Sequence, residues 1–296
     1  MKNIRITLIC LASLPLPLLA ADSGFNLLNK MTQSLSQMSY KGTLVYIKNN
    51  DVITLKVSHT IENGEEVEQV ERINKNGKPY SRKVRDYSLS QLPKFDKKMQ
   101  SVYSFDLGSI KKVAARPCQL VIARPKDRMR YLQKFCVDTK TSLLLDYTII
   151  DKSHKPIEQF MFTGVEILSN ATALKKVTAD VKQVITNNAL SLSPATTKKA
   201  TASAWSLKKT PKGFSLRKAP SMQGEMVAEH YILSDGLSSV SIFISKKVPN
   251  SKQTGTHSGA LNVVTYYKDN FAITLVGAVP KSTLKDIFNN LRHNAK

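Results

Sequence analysis

The 296-residue sequence predicts an α+β chain, mostly antiparallel β, built as two unequal domains. Three observations predict it. Apolar residues first recur at three- and four-residue spacing, then switch to alternation over eight successive runs. A stretch poor in core-forming residues divides the chain at 186–204. A second, shorter set of alternating runs then closes on an amphipathic helix.

Residues 1–20, MKNIRITLICLASLPLPLLA, place Lys2 and Arg5 before a short apolar run that ends in small residues at Ala20 and Ala21. This is the layout of a cleaved secretory signal peptide. The run is short, holds two prolines and lacks a stop-transfer flank, which argues against a retained anchor. Cys10 follows the bulky Ile9, which argues against a lipid-modified start. The mature protein is expected to be soluble and exported. Its formal charge falls from +22 to +20 once Lys2 and Arg5 are removed, with +10 on residues 21–185 and +8 on 205–296. Export disfavours nucleic acid as the partner. An anionic membrane surface, an anionic lipid or an acidic protein fits such a charge better.

The first domain, residues 21–185, opens on a helix. Leu27, Leu28, Met31, Leu35 and Met38 share one face, and Asp22 or Ser23 is placed to cap it. The runs GTLVYIK, ITLKVSH, EVEQVERI, QSVYSFDL, CQLVIAR, MRYLQKFCVD, LLLDYTIID and EQFMFTGVEI then read as strands, many of them separated by turn signals such as KNND, ENGE and DKSHKP. A large curved sheet wrapped round a helix leaves room for an apolar cavity. Cys118 and Cys136 lie on two of these strands, and a turn centred near Asp127 places them opposite each other. In an oxidising compartment the expectation is a disulfide, contributing about 3 kcal/mol, with two buried thiols as the alternative.

Residues 186–204, TNNALSLSPATTKKATASA, have linker composition. The second domain, 205–296, begins at Trp205, the one tryptophan in the chain. Trp205 and Phe214 are expected to anchor its core, with Pro211, Lys212 and Gly213 forming the turn between them. Lys208, Lys209, Lys212, Arg217 and Lys218 around them are the candidates for a partner-facing or interdomain surface. The runs AEHYILSD, SSVSIFISKK, ALNVVTYYKD and FAITLVGAV read as strands, with Asp235-Gly236 as a hairpin turn. A closing helix from Ser282 carries Leu284, Ile287, Phe288 and Leu291 on one stripe.

No catalytic motif is present: no nucleophile elbow, no H-E-x-x-H and no phosphate-binding glycine loop. His59, His154, His230, His257 and His293 are scattered, with none at metal-ligand spacing. The carboxylates Asp138, Asp146, Asp151 and Glu158 are expected to be solvated at strand ends and turns. The expectation is a protein that is not an enzyme and needs no metal or cofactor.

Trp205, Pro211, Gly213-Phe214, Pro220, Ser234-Asp235-Gly236-Leu237, Ser241 and Phe243, continued by VGAVP at 276–280, resemble the C-terminal domain of the RseB/MucB family. YKGTLVYIKNN at 40–50, LKVSH at 55–59 and the run from Tyr103 to Ile167 are similar to its N-terminal domain. The resemblance covers nearly the whole mature chain in order. It implies an N-terminal domain like the lipoprotein carriers LolA and LolB, a curved sheet around helices, followed by a smaller α+β domain. It implies a periplasmic negative regulator of the sigma-E envelope-stress response, which binds the periplasmic domain of an RseA/MucA-type anti-sigma factor and shields it from proteolysis. Lipid or lipopolysaccharide is the implied signal that relieves binding, and self-association stays open. A periplasmic lipid or lipoprotein carrier is the alternative; the second domain and linker, which a carrier does not evidently need, favour the regulator.

Overall fold

The computed structural model describes residues 23–49, 51–62, 64–73, 79–83, 95–168, 204–219, 229–248, 252 and 254–294. The expected signal peptide and residues 186–203 of the expected linker lie outside them. Helix α1 runs Gly24–Gln37 and starts where Ser23 accepts a hydrogen bond from the Asn26 amide at 3.2 Å. Phe25, Leu28, Met31 and Leu35 are its buried face.

The alternating runs form one antiparallel nine-stranded sheet. Its strands are β1 (Tyr40–Lys48), β2 (Asp51–Glu62), β3 (Glu65–Ile73), β4 (Pro79–Lys83), β5 (Tyr103–Val113), β6 (Arg116–Pro125), β7 (Leu132–Asp138), β8 (Leu144–Ile150) and β9 (Pro156–Ile167). Their spatial order is β4-β3-β2-β1-β9-β8-β7-β6-β5, so the chain leaves one edge after β4 and re-enters at the opposite edge. The described end of that connection, Phe95 to Val102, includes a 3₁₀ turn at Lys97–Ser101. It buries Phe95, Met99 and Val102 in the same apolar cluster as α1. The sheet is strongly curled. Strands β5 and β9 come within 8 Å at Cα although three strands lie between them; a flat sheet would hold them about 19 Å apart. Register shifts in the β1–β9, β5–β6, β7–β8 and β8–β9 pairs supply local bends.

Cys118 and Cys136 are bonded, with Cα atoms 5.3 Å apart, but they are not directly opposite. Cys118 faces Asp138 and Cys136 faces Leu120, because the hairpin centre lies one residue later than the sequence suggests. The cysteines are therefore diagonal neighbours. They remain on one face because side chains alternate with period two, and so stay within bonding reach. Asp138 is another difference. Far from being solvated, it is buried, accepts from the Arg116 side chain, and takes the Lys140 and Thr141 amides at 2.8 and 2.9 Å. Burial opposes its charge, but these donors outweigh burial and hold its carboxyl below the usual range.

The second domain is a six-stranded antiparallel sheet of order β11-β12-β13-β16-β15-β14. These strands are β11 (Ser215–Lys218), β12 (Glu229–Ser234), β13 (Ser239–Lys246), β14 (Thr254–Ser258), β15 (Leu261–Lys268) and β16 (Phe271–Gly277). Helix α2 (Lys281–Asn290) buries Thr283, Leu284 and Ile287. Two short strands, β10 (Trp205–Leu207) and β17 (Leu291–His293), pair with Trp205 opposite His293. Trp205 is buried as expected, edge-on to Phe271 at 5.2 Å between ring centroids, and ties the start of this domain to its end. The Pro211–Phe214 turn is also as expected, closed by the Phe214 amide on the Pro211 carbonyl at 3.1 Å.

Alkylation of unfolded, unreduced mature protein should label neither Cys118 nor Cys136, and label both after reduction. Two labelled thiols before reduction would rule the bond out.

Candidate functional site

The turn between β6 and β7 carries Arg130, whose side chain is fully buried. Its three donor nitrogens are all engaged. Nε donates to Asp235 Oδ2, Nη1 to Asp127 Oδ2, and Nη2 to the Lys212 carbonyl at 2.6 Å. Its guanidinium carbon lies 4.3 Å from the Phe214 ring centroid and 5.5 Å from that of Tyr103. Asp127 and Tyr103 belong to the first domain; Asp235, Lys212 and Phe214 belong to the second. Arg130 therefore sits in the seam between the domains, held by an ion pair on each side.

Asp235 has two tasks. Its Oδ1 accepts the Leu237 and Ser238 amides at 2.9 and 2.7 Å, which shapes the β12–β13 turn. Its Oδ2 accepts from Arg130 and from the Tyr103 hydroxyl at 3.0 Å. Burial, reinforced by the charge of Asp235, pushes the Tyr103 phenol well up and keeps it a donor. The Tyr103 hydroxyl also meets Ser238 Oγ at 3.1 Å. Burial works against the charge on Arg130, but the hydrogen bond and charge of Asp235 outweigh it and raise its pKa.

The turn is pressed against the first domain. Gly236 has φ +95°, and a Cβ there would run into the Met99 methyl. Leu237 packs on the N-terminal core cluster. Gly213, at φ +82°, would put a Cβ 2.8 Å from Val102 Cγ1. Ser234-Asp235-Gly236-Leu237 is thus a hairpin turn, as expected, and also the plug that docks one domain on the other.

A second band of contacts runs along the same seam. Asn262 donates to the Tyr131 hydroxyl at 3.0 Å, Thr283 Oγ1 to the Met129 carbonyl at 2.9 Å, and the Gly259 amide to Asn49 Oδ1 at 3.0 Å. Glu158, expected to be solvated, accepts from Tyr46 at 2.7 Å and from the Ala260 amide at 3.0 Å. Tyr131, Ile149 and Ala260 form a small apolar cluster there.

Lys208, Lys209, Lys212, Arg217 and Lys218 are all exposed. Two of them cannot share a face. Arg217 and Lys218 are neighbours on β11 and so point to opposite sides of the sheet. Lys218 pairs with Glu229 at 3.0 Å; Lys212 serves the seam through its backbone carbonyl, not its charge. Phe243 stacks on His230 at 4.3 Å, among half-buried residues of β12 and β13. Sequence reasoning missed Arg130, Tyr103, Asp127 and Asn262. The only local signal is Asp127 three residues before Arg130, and nothing local points to a partner 105 residues further on. Among the described residues no group of three or more His, Cys, Asp and Glu is close enough to hold a metal.

Gly236→Ala should lower the melting temperature, because the left-handed backbone and the Met99 contact together cost about 1–3 kcal/mol. Adding Met99→Ala relieves the contact but not the backbone strain. An unchanged melt for the single variant would show that the turn is not pressed against the first domain.

Residues 23–91 and 78–184 match the family described as MucB/RseB N-terminal domain, and 199–292 that described as MucB/RseB C-terminal domain. The sigma-E factor regulatory protein RseB of Escherichia coli K12 is 27% identical over 219 residues, covering 71% of this chain and 67% of that protein. The sigma factor AlgU regulatory protein MucB of Pseudomonas aeruginosa is 24% identical over 332 residues, covering 100% of this chain and 99% of that one. The crystal structure of MucB in complex with MucA(peri) superposes with a TM-score of 0.70 at 22% identity, covering 92% of this chain and 99% of that chain. A crystal structure of MucB superposes with a TM-score of 0.60 at 22% identity, covering 91% of this chain and 97% of that chain. With both domains matched in order, this chain belongs to the MucB/RseB family.

Proposed function

We infer that this chain is a periplasmic negative regulator of an envelope-stress sigma factor, exported by the cleaved leader at 1–20. It binds the periplasmic domain of an RseA/MucA-type single-pass anti-sigma factor and shields that domain from proteolysis. The observation that carries the reading is the family match across both domains. The seam supports it physically, because a fixed angle between two domains offers a partner one composite surface. The positive charge of both domains favours an acidic partner or proximity to an anionic membrane. The chain acts by binding, not by catalysis.

Relief by an amphiphile is the second part of the reading. The N-terminal sheet curls round α1 and Phe95–Val102, and its interior is apolar but filled by packed side chains, so an acyl chain enters only where these side chains move apart. A ligand releases the partner only if it favours the released state. A tenfold loss of affinity needs about 1.4 kcal/mol of such preference, modest beside ~0.8 kcal/mol per buried CH₂.

The test is the affinity of the mature protein for the periplasmic domain of the anti-sigma factor of the same organism, with and without lipopolysaccharide fragments, at two salt concentrations. Binding, protection of that domain from its protease, and at least tenfold weakening by acylated fragments are expected. Absence of binding would overturn the regulator reading. Equal weakening by a head-group fragment without acyl chains would overturn entry of the amphiphile and leave charge competition at the surface.

A further inference from the structure

The geometry points to Arg130 as the residue that fixes the angle between the two domains, and to that angle as what the protein partner reads. The second half rests on the two-domain grip inferred above.

Among the described residues, the cross-domain bonds outside the cluster of Arg130, Tyr103, Asp235 and Ser238 are single hydrogen bonds, mostly to backbone groups or neutral side chains. Water can replace each of these if the seam opens. Arg130 is different. Two of its three donor nitrogens reach the second domain, at Asp235 and at the Lys212 carbonyl, while the third is held by Asp127 of its own turn. Its guanidinium carbon lies 4.3 Å from the ring centroid of Phe214 of one domain and 5.5 Å from that of Tyr103 of the other. A planar fork with three fixed acceptors and a ring from each domain permits little rotation about the seam. Both Arg130 and Asp235 have fully buried side chains, so neither can swing away without either leaving a charge unpaired in the seam or opening the seam to water.

A fixed angle has a consequence for binding. A partner that touches both domains binds only molecules in which they stand at the right angle. Apparent affinity falls in proportion to that fraction. With the pin in place the fraction is near one; a joint in which about one molecule in ten is correctly placed binds about tenfold more weakly. Arg130 is then a positioning residue, acting through the orientation of the surfaces and not through contact with the partner. Lysine cannot replace it, because a single ammonium cannot serve three acceptors in one plane.

The experiment uses the mature full-length chain with exposed Lys112 and Lys285, one on each domain, changed to cysteine and spin-labelled. Pulsed electron resonance reads the interdomain distance distribution in the parent, R130M, D235N and R130M/D235N. Affinity for the anti-sigma periplasmic domain is measured on the same samples. The parent should give one narrow distribution. R130M, which strands the Asp235 carboxylate, should broaden it and weaken the partner about tenfold, with circular dichroism unchanged. R130M/D235N should be less affected than R130M, since no charge is stranded. If R130M fails to fold, R130K carries the test, with a smaller effect in the same direction. A distribution that stays narrow in R130M overturns the pin. Broadening with unchanged affinity overturns the reading of the angle. A parent chain that does not bind the partner removes the two-domain grip and the second half of the proposal with it, while the distances still decide the pin.

Discussion

The arrangement of this molecule depends on one buried ion pair between its halves. Arg130 and Asp235 are both fully buried, and each is also tied into its own domain, Arg130 through Asp127 and Asp235 through the amides of its turn. Removing Arg130 costs about 3–5 kcal/mol, because the Asp235 carboxylate is left buried without a cation, whereas removing Asp235 leaves Arg130 its Asp127 partner. The contribution of the intact pair to stability is smaller and can be near zero. Its value lies in specificity, since few other orientations of the two domains would satisfy both charges. The turn that carries Asp235 needs a glycine at 236 so that it can press on Met99. One short motif therefore sets both a hairpin and a domain angle.

Much of the fold was legible in the sequence because alternation survives wherever one face of a sheet is buried. Leu44, Tyr46, Leu55 and Val57 alternate with more exposed neighbours, and the first and second strands follow directly. The helix start at Ser23 and the turn at Asp235-Gly236 were legible from side-chain chemistry. Strands β10, β11, β14 and β17 were not, since three to five residues are too few to show a period. Hairpin register was misjudged by one residue at its centre, which made Cys118 and Cys136 diagonal partners, yet period two kept their bond. The spatial order of the strands was out of reach as well. Placing β4 and β5 at opposite edges is a long-range decision, made by which segments can fill the interior with Phe95 and Met99.

The seam shows the same limit more sharply. Arg130 sits in a stretch of mixed charge that reads as an ordinary solvated turn, and its partner lies in the other domain. The resemblance that singled out Ser234 to Leu237 marked the right residues without their reason. The five basic residues around Trp205 are exposed, with Arg217 and Lys218 on opposite sides of their strand, while the cation that joins carboxylates of both domains is a buried arginine outside that set. A basic composition describes the surface, not the joint.

Small-angle X-ray scattering of the mature protein at low and high salt reads directly whether the buried pair holds the two domains in one orientation. Exposed charges are screened within ~8 Å at physiological ionic strength, but a dry, buried pair is screened far less. One compact particle is expected, whose scattering fits the docked domains equally well at both salt concentrations. Expansion at high salt, or a profile at either concentration that requires several domain orientations, would contradict it.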